Sequence, residues 1–149
     1  CHSKNSPPPS GVNWNEVWNY DWEVVSKNCN TPGRNPYTCK SMNGLFTTYS
    51  HIITAFVVGL QNFDTLKADA QEIVRLLQDL GKNGAFHIGE GVRAKAESEA
   101  REVITLAELK DAAAFEKSLT LSDSCTTCHT ENGRGTFKPM ALNFGKKKN

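Results

Sequence analysis

The chain has no apolar run long enough to cross a membrane: about 18 consecutive apolar residues are needed, and its longest run, "IITAFVVGL", is half that. The folded part is therefore expected to be soluble. It has almost no excess of charge of either sign, 17 Lys and Arg against 16 Asp and Glu for a net +1, so no overall field points to nucleic acid. Its one like-charge run, "KKK" at 146–148, reads as a solvated tail. No period-two alternation competes for a β-sheet, and no internal repeat or glycine-rich phosphate loop is present. No serine, histidine and acid arrangement stands out either, so the chain is not read as an enzyme. Neither does it have the composition of a disordered protein: 38% hydrophobic and 22% charged residues over 149 positions suffice for one buried core.

Cysteine is what the chain does have in number, five of them, at 1, 29, 39, 125 and 128. Reducing compartments hold few such residues for structural use, so export to a bacterial periplasm or cell envelope is expected. Cys1, followed by the polar, proline-rich "HSKNSPPPSG", resembles a bacterial lipoprotein processed at its acylated cysteine. Residues 1–11 then form an extended tether, attached to the membrane through lipid on Cys1. In "VNWNEVWNYDWEVVSKN", Trp14, Trp18, Trp22 and Val25 share one helical face with acids opposite. That is expected to be an extra N-terminal helix packing its tryptophans on the domain. "CNTPGRNPYTC" reads as a loop, and in an oxidising compartment a disulfide between Cys29 and Cys39 would close it.

Beyond residue 39 the apolar positions recur at intervals of three and four. Met42, Leu45, Tyr49, Ile52, Ile53, Phe56, Leu60 and Phe63 predict a first helix from 42 to 63. A second opens with Asp64 as N-cap, carries Leu66, Ala70, Ile73, Leu77 and Leu80 inward, and stops at glycine. A looser segment with His87 leads to a third, with Val92, Ala96, Val103, Leu106 and Ala107 inward. The fourth carries Phe115, Leu119, Ser122, Cys125 and His129 along one stripe. Four helices joined by short turns predict an all-α, up-down-up-down four-helix bundle. The expected organisation is a tether at 1–11, a Trp-rich leader and disulfide loop at 12–39, the bundle at 40–135 and a tail at 136–149.

The last turns of the fourth helix read "CTTCHTENG". Cys125 and Cys128 are one turn apart, so their sulfurs project on one side and can bond to the two vinyl groups of a haem. His129 follows directly, placed to ligate the iron as its proximal ligand. One covalent haem c is therefore the expected cofactor. Two alternatives use the same thiols. A zinc site would draw further ligands from His129 or from Cys29 and Cys39, but the latter two are ten residues apart rather than in a tight knuckle. A thioredoxin-like dithiol would open its helix after a strand, whereas this motif closes one.

With this motif in "AAAFEKSLTLSDSCTTCH" and with "DTLKADAQEIVRLLQDL" as second helix, residues 40–130 resemble the cytochrome c′ group, the class II c-type cytochromes. The resemblance implies a sixth iron position near the start of the first helix, at Met42 to Phe46. Met42 on the iron would make the haem six-coordinate and low-spin, suited to electron transfer. Leu45 or Phe46 over it would leave a five-coordinate, apolar site open to NO or CO. The family's propionate-facing arginine has Lys40 as its nearest counterpart. Pairing of first helices, through Thr48, His51 and Ala55, would make a homodimer. The chain departs from the family just after the motif, with Asn132 where an aromatic is expected and Arg134 displaced by one. His51 reads as a surface residue, His87 lies at the wrong chain position for the distal face, and Met140 reaches the iron only if the tail wraps the porphyrin. Three functions follow: a monohaem electron carrier serving redox partner proteins, a gas-binding protein, and a haem subunit of a larger redox assembly.

Overall fold

The computed structural model describes Cys29 and residues 35–57, 59–83 and 90–131, with side chains up to residue 128. The tether, the Trp-rich leader, His87, Asn132, Arg134 and Met140 lie outside the described residues. Four helices run through those described: α1 Pro36–Val57, α2 Phe63–Asn83, α3 Glu90–Glu108 and α4 Ala113–Glu131, with no strand among them.

Local chemistry sets the ends of these helices, and shifts two of them from the expected positions. α1 begins before Met42 because the Asn35 side chain accepts the backbone N–H of Tyr37 (3.0 Å) and of Thr38 (3.2 Å), with Pro36 in the first helical position. The end of "CNTPGRNPYTC" is thus helix rather than loop. α1 stops at Val57, where Gly59 takes φ 68°, Gly59 N–H bonds to Phe56 C=O (3.2 Å) and Leu60 N–H to Ala55 C=O (3.0 Å). This paired closure takes up carbonyls left over at the helix end. Leu60 therefore falls in the connection, and Phe63 opens α2 instead of closing α1. The N-cap of α2 is Asn62, whose Oδ1 accepts Thr65 N–H at 2.7 Å. Asp64 sits in the first turn, where its charge still favours the N-terminus. The turn after α3 repeats the closure without glycine: Lys110 takes φ 54°, and Asp111 N–H bonds to Leu106 C=O at 2.9 Å.

Cross-helix contacts give the direction of each helix. Along α1 and α2, Gly44 meets Leu76 and His51 meets Asp69. Along α2 and α3, Lys67 pairs with Glu108 and Gln78 with Glu97. Lys117 of α4 pairs with Glu102, and Ser124 bonds Glu99 further up α3. Each helix is antiparallel to the one before it, the up-down-up-down order expected. α2 supplies the bulk of the core through Leu66, Ile73, Val74, Leu76, Leu77 and Leu80, while α3 offers the small seam Ala96, Ala100, Val103 and Ala107.

α4 is rotated by about one residue from the expected stripe. Its buried positions are Ala114, Ser118, Leu121 and Ser124, whereas Phe115, Leu119 and Ser122 are half-buried. Small residues can sit close to the alanine seam of α3, and Phe115 goes to the flank, where its ring meets that of Phe63 at 4.9 Å. The buried hydroxyl of Ser118 bonds back to the Phe115 carbonyl at 2.7 Å, so burial leaves it no unmet donor. On α1, His51 is exposed as expected, but Thr48 beside it is buried. Thr48, His51 and Ala55 do not make one exposed face.

Candidate functional site

Consecutive helices pack closely, but α1 and α4 touch only sparsely. At the end of the bundle where α1 begins and α4 finishes, a cavity of about 150 Å³ remains, partly open to solvent. Met42, Leu45, Phe46 and Tyr49 of α1 line it, with Ile73, Leu77 and Leu80 of α2. Val92, Arg93 and Ala96 come from α3, and Leu121, Ser124, Cys125 and Cys128 from α4. Five residues singled out from the sequence, Met42, Leu45, Phe46, Cys125 and Cys128, thus share one cavity although some eighty positions separate the two groups. Lys40 is exposed and is not among the lining residues. His129 belongs to α4 directly after Cys128, but its side chain lies outside those described.

The cavity wall is apolar apart from a few groups that already have partners. The Tyr49 hydroxyl donates to the Leu119 carbonyl at 2.8 Å, a link between α1 and α4, and burial raises its pKa above the usual tyrosine value. Ser124 donates to Glu99 Oε2 at 2.8 Å, pinning α4 to α3 beside Cys125. Neither Cys125 nor Cys128 is in a disulfide. Burial, with a smaller contribution from Cys128, pushes the Cys125 thiol up to about 11, so it is protonated at neutral pH. That is the reverse of the depressed thiol that opens a helix in a redox dithiol.

The other cysteine pair is spent. Cys29 and Cys39 are joined by a disulfide, with Asn43 Nδ2 donating to Cys29 Sγ at 3.1 Å. They are not available to complete a zinc site with Cys125 and Cys128. Among the described residues no three His, Cys, Asp or Glu side chains come together as a metal site.

The donor set suits a haem. Two thiols one helical turn apart open onto an apolar slot, a thioether stands on the α1 wall, and a guanidinium stands on the α3 wall. A volume near 150 Å³ holds about one benzene ring. A porphyrin is larger, so an edge would stay in the open side and wall side chains would give way. Met42, Leu45 and Phe46 are only half-buried, which leaves them room to do so.

Arg93 is the site residue that sequence reasoning passed over. Its signal was legible: it continues the spacing of Ala96, Ala100, Val103 and Ala107, a charge on the inward stripe of α3. No protein-family description, curated protein or solved structure matches the chain.

Proposed function

We propose that this chain is a monohaem c-type cytochrome that carries single electrons between redox partner proteins in an oxidising compartment of the bacterial cell envelope. The observation that carries the reading is that both thiols of the C-x-x-C-H motif open onto an apolar cavity whose other wall bears Met42, Leu45 and Phe46. The Cys29–Cys39 disulfide is in keeping with such a compartment. Haem bound there supplies a one-electron couple.

The chain's own residues do the rest. Cys125 and Cys128 would hold the haem by thioether bonds, and His129 would ligate its iron. The apolar wall would limit the access of water to a haem bound there. Tyr49 and Ser124 have their hydroxyls committed to Leu119 and Glu99, which leaves the Met42 thioether as the wall group suited to the sixth position. A five-coordinate gas-binding protein is the second reading, favoured by Leu45 and Phe46 on the same wall as Met42.

Expression of the full chain alongside a c-type haem attachment system tests the proposal. Haem is expected to stay with the protein on a denaturing gel, and Cys125→Ser or Cys128→Ser to weaken or abolish that attachment. A reduced spectrum with a sharp low-spin band indifferent to CO supports the electron carrier; a high-spin spectrum that CO shifts supports gas binding. A chain that takes up zinc through its thiols, and no haem, sinks both.

A further inference from the structure

Arg93 brings a full charge to a cavity that is otherwise nearly all apolar, and its surroundings are arranged to hold it there. Its Nη1 donates to the Leu77 carbonyl and to Glu97 Oε2, both at 3.1 Å, which ties the guanidinium to the end of α2 and to its own helix. Nε and Nη2 grip Glu90, the first residue of α3. Gly81 makes the room: a Cβ there would lie 2.9 Å from both Cζ and Nε of Arg93. The two acids differ in kind. The Glu97 side chain is 18% exposed and is fixed by Gln78 and Arg101 as well, whereas Glu90 is 58% exposed and turns toward water.

We infer that Arg93 is the anchor for a carboxylate of the cavity's occupant, which takes the place of Glu90 on the guanidinium. The inference rests on the haem reading and deepens it, since haem carries two propionates; it also moves the anion contact from Lys40 on α1 to α3. Exchange of one carboxylate for another conserves charge. Glu90 returns to water at little cost because it is already mostly exposed, while the occupant's carboxylate meets a fork that Leu77 and Glu97 hold in place. An apolar body without a carboxylate would fill the cavity and gain nothing from Arg93.

Two metal-free probes separate the contributions in the full chain before haem is attached: protoporphyrin IX, and its dimethyl ester, which lacks the negative charges. Fluorescence titration is expected to show the free acid bound about tenfold more tightly than the ester, the usual worth of a charge-assisted hydrogen bond. Arg93→Gln is expected to remove the preference, read as the ratio of acid to ester affinity within that variant. Arg93→Lys keeps part of it, and Glu90→Gln enlarges it by removing the competitor. Should Arg93→Gln fail to fold by circular dichroism, the lysine and Glu90 variants carry the comparison. Equal binding of acid and ester by the unaltered chain, or a preference indifferent to all three substitutions, overturns the role of Arg93 and leaves the haem reading standing. Failure of both porphyrins to bind overturns the haem reading and this inference with it.

Discussion

Met42 is the residue on which the proposed activity turns. If its thioether occupies the sixth position, Met42→Leu keeps the volume of the wall and removes the ligand. The reduced protein should then change from a low-spin spectrum without CO response to a high-spin one that binds CO, and its potential should fall. A low-spin spectrum unchanged by the substitution removes Met42 from the iron. Glu97 governs a different property. It accepts from Arg101 Nη2 at 2.8 Å, Gln78 at 2.9 Å and Arg93 at 3.1 Å, and the Arg101 bond foremost holds its carboxyl below the usual glutamate value. In the acid range just below that value the unfolded chain binds more protons at this site than the folded one. Its contribution is therefore full above the ordinary glutamate pKa and is lost as pH falls through the folded one. Glu97→Gln should flatten the loss of stability on acidification, read from urea midpoints at successive pH values. Asp69 has the opposite sign, because burial raises its pKa against the lowering effect of His51, so its contribution is full below the ordinary aspartate value and is lost as pH rises through the raised one.

Helices α1 and α2 come together at a glycine. A Cβ on Gly44 would lie 2.9 Å from both methyl carbons of Leu76, which is buried. Two effects compete in Gly44→Ala. Overpacking costs about 1–3 kcal/mol, and alanine gains about 1 kcal/mol over glycine inside a helix. Gly44→Ala should thus lower stability in the unaltered chain and raise it in a Leu76→Ala background, where only the helix gain remains. A denaturant double-mutant cycle reads the change of sign. α4 depends on its neighbours more than α2 does. Much of its length is serine and threonine, and Ser118, Thr120, Ser122 and Thr127 each turn a hydroxyl back to a carbonyl one turn earlier. Such bonds permit burial but add little helix preference. The pairing of Lys117 with Glu102 and of Ser124 with Glu99 then orients the turns that carry the cysteines.

In the molecule as a whole, the bundle is tight along α1–α2, α2–α3 and α3–α4 and loose between α1 and α4. The cavity occupies that loose end, and the Cys29–Cys39 disulfide anchors the adjoining start of α1. The bridge spans a sequence separation of 10. For a loop of that length the chain-entropy picture gives about 2–3 kcal/mol. A Cys29→Ser, Cys39→Ser double variant should lose stability of that size in urea unfolding, with the slope of the transition little changed. A drop near zero would mean that Asn35 and the packing of α1 on α2 already hold this end.

The four helices and the C-x-x-C-H motif could be read directly because both are local: apolar spacing reports which face of a helix is buried, and Cys125, Cys128 and His129 are near neighbours in the chain. Their ends were less legible, since Asn35 and Asn62 act through hydrogen bonds that apolar spacing does not register. The stripe of α4 was misplaced because its buried face is built of Ala114, Ser118 and Ser124, which periodicity counts as weak or polar. What the tertiary structure alone decided was which residues meet. Met42 and Cys125 share a cavity, Lys40 does not reach it and Arg93 does, because those outcomes depend on how far each helix is rotated and slid against the next. That register comes from close packing of small residues such as Gly44, Gly81 and Ala100, whose effect exists only once the helices are side by side.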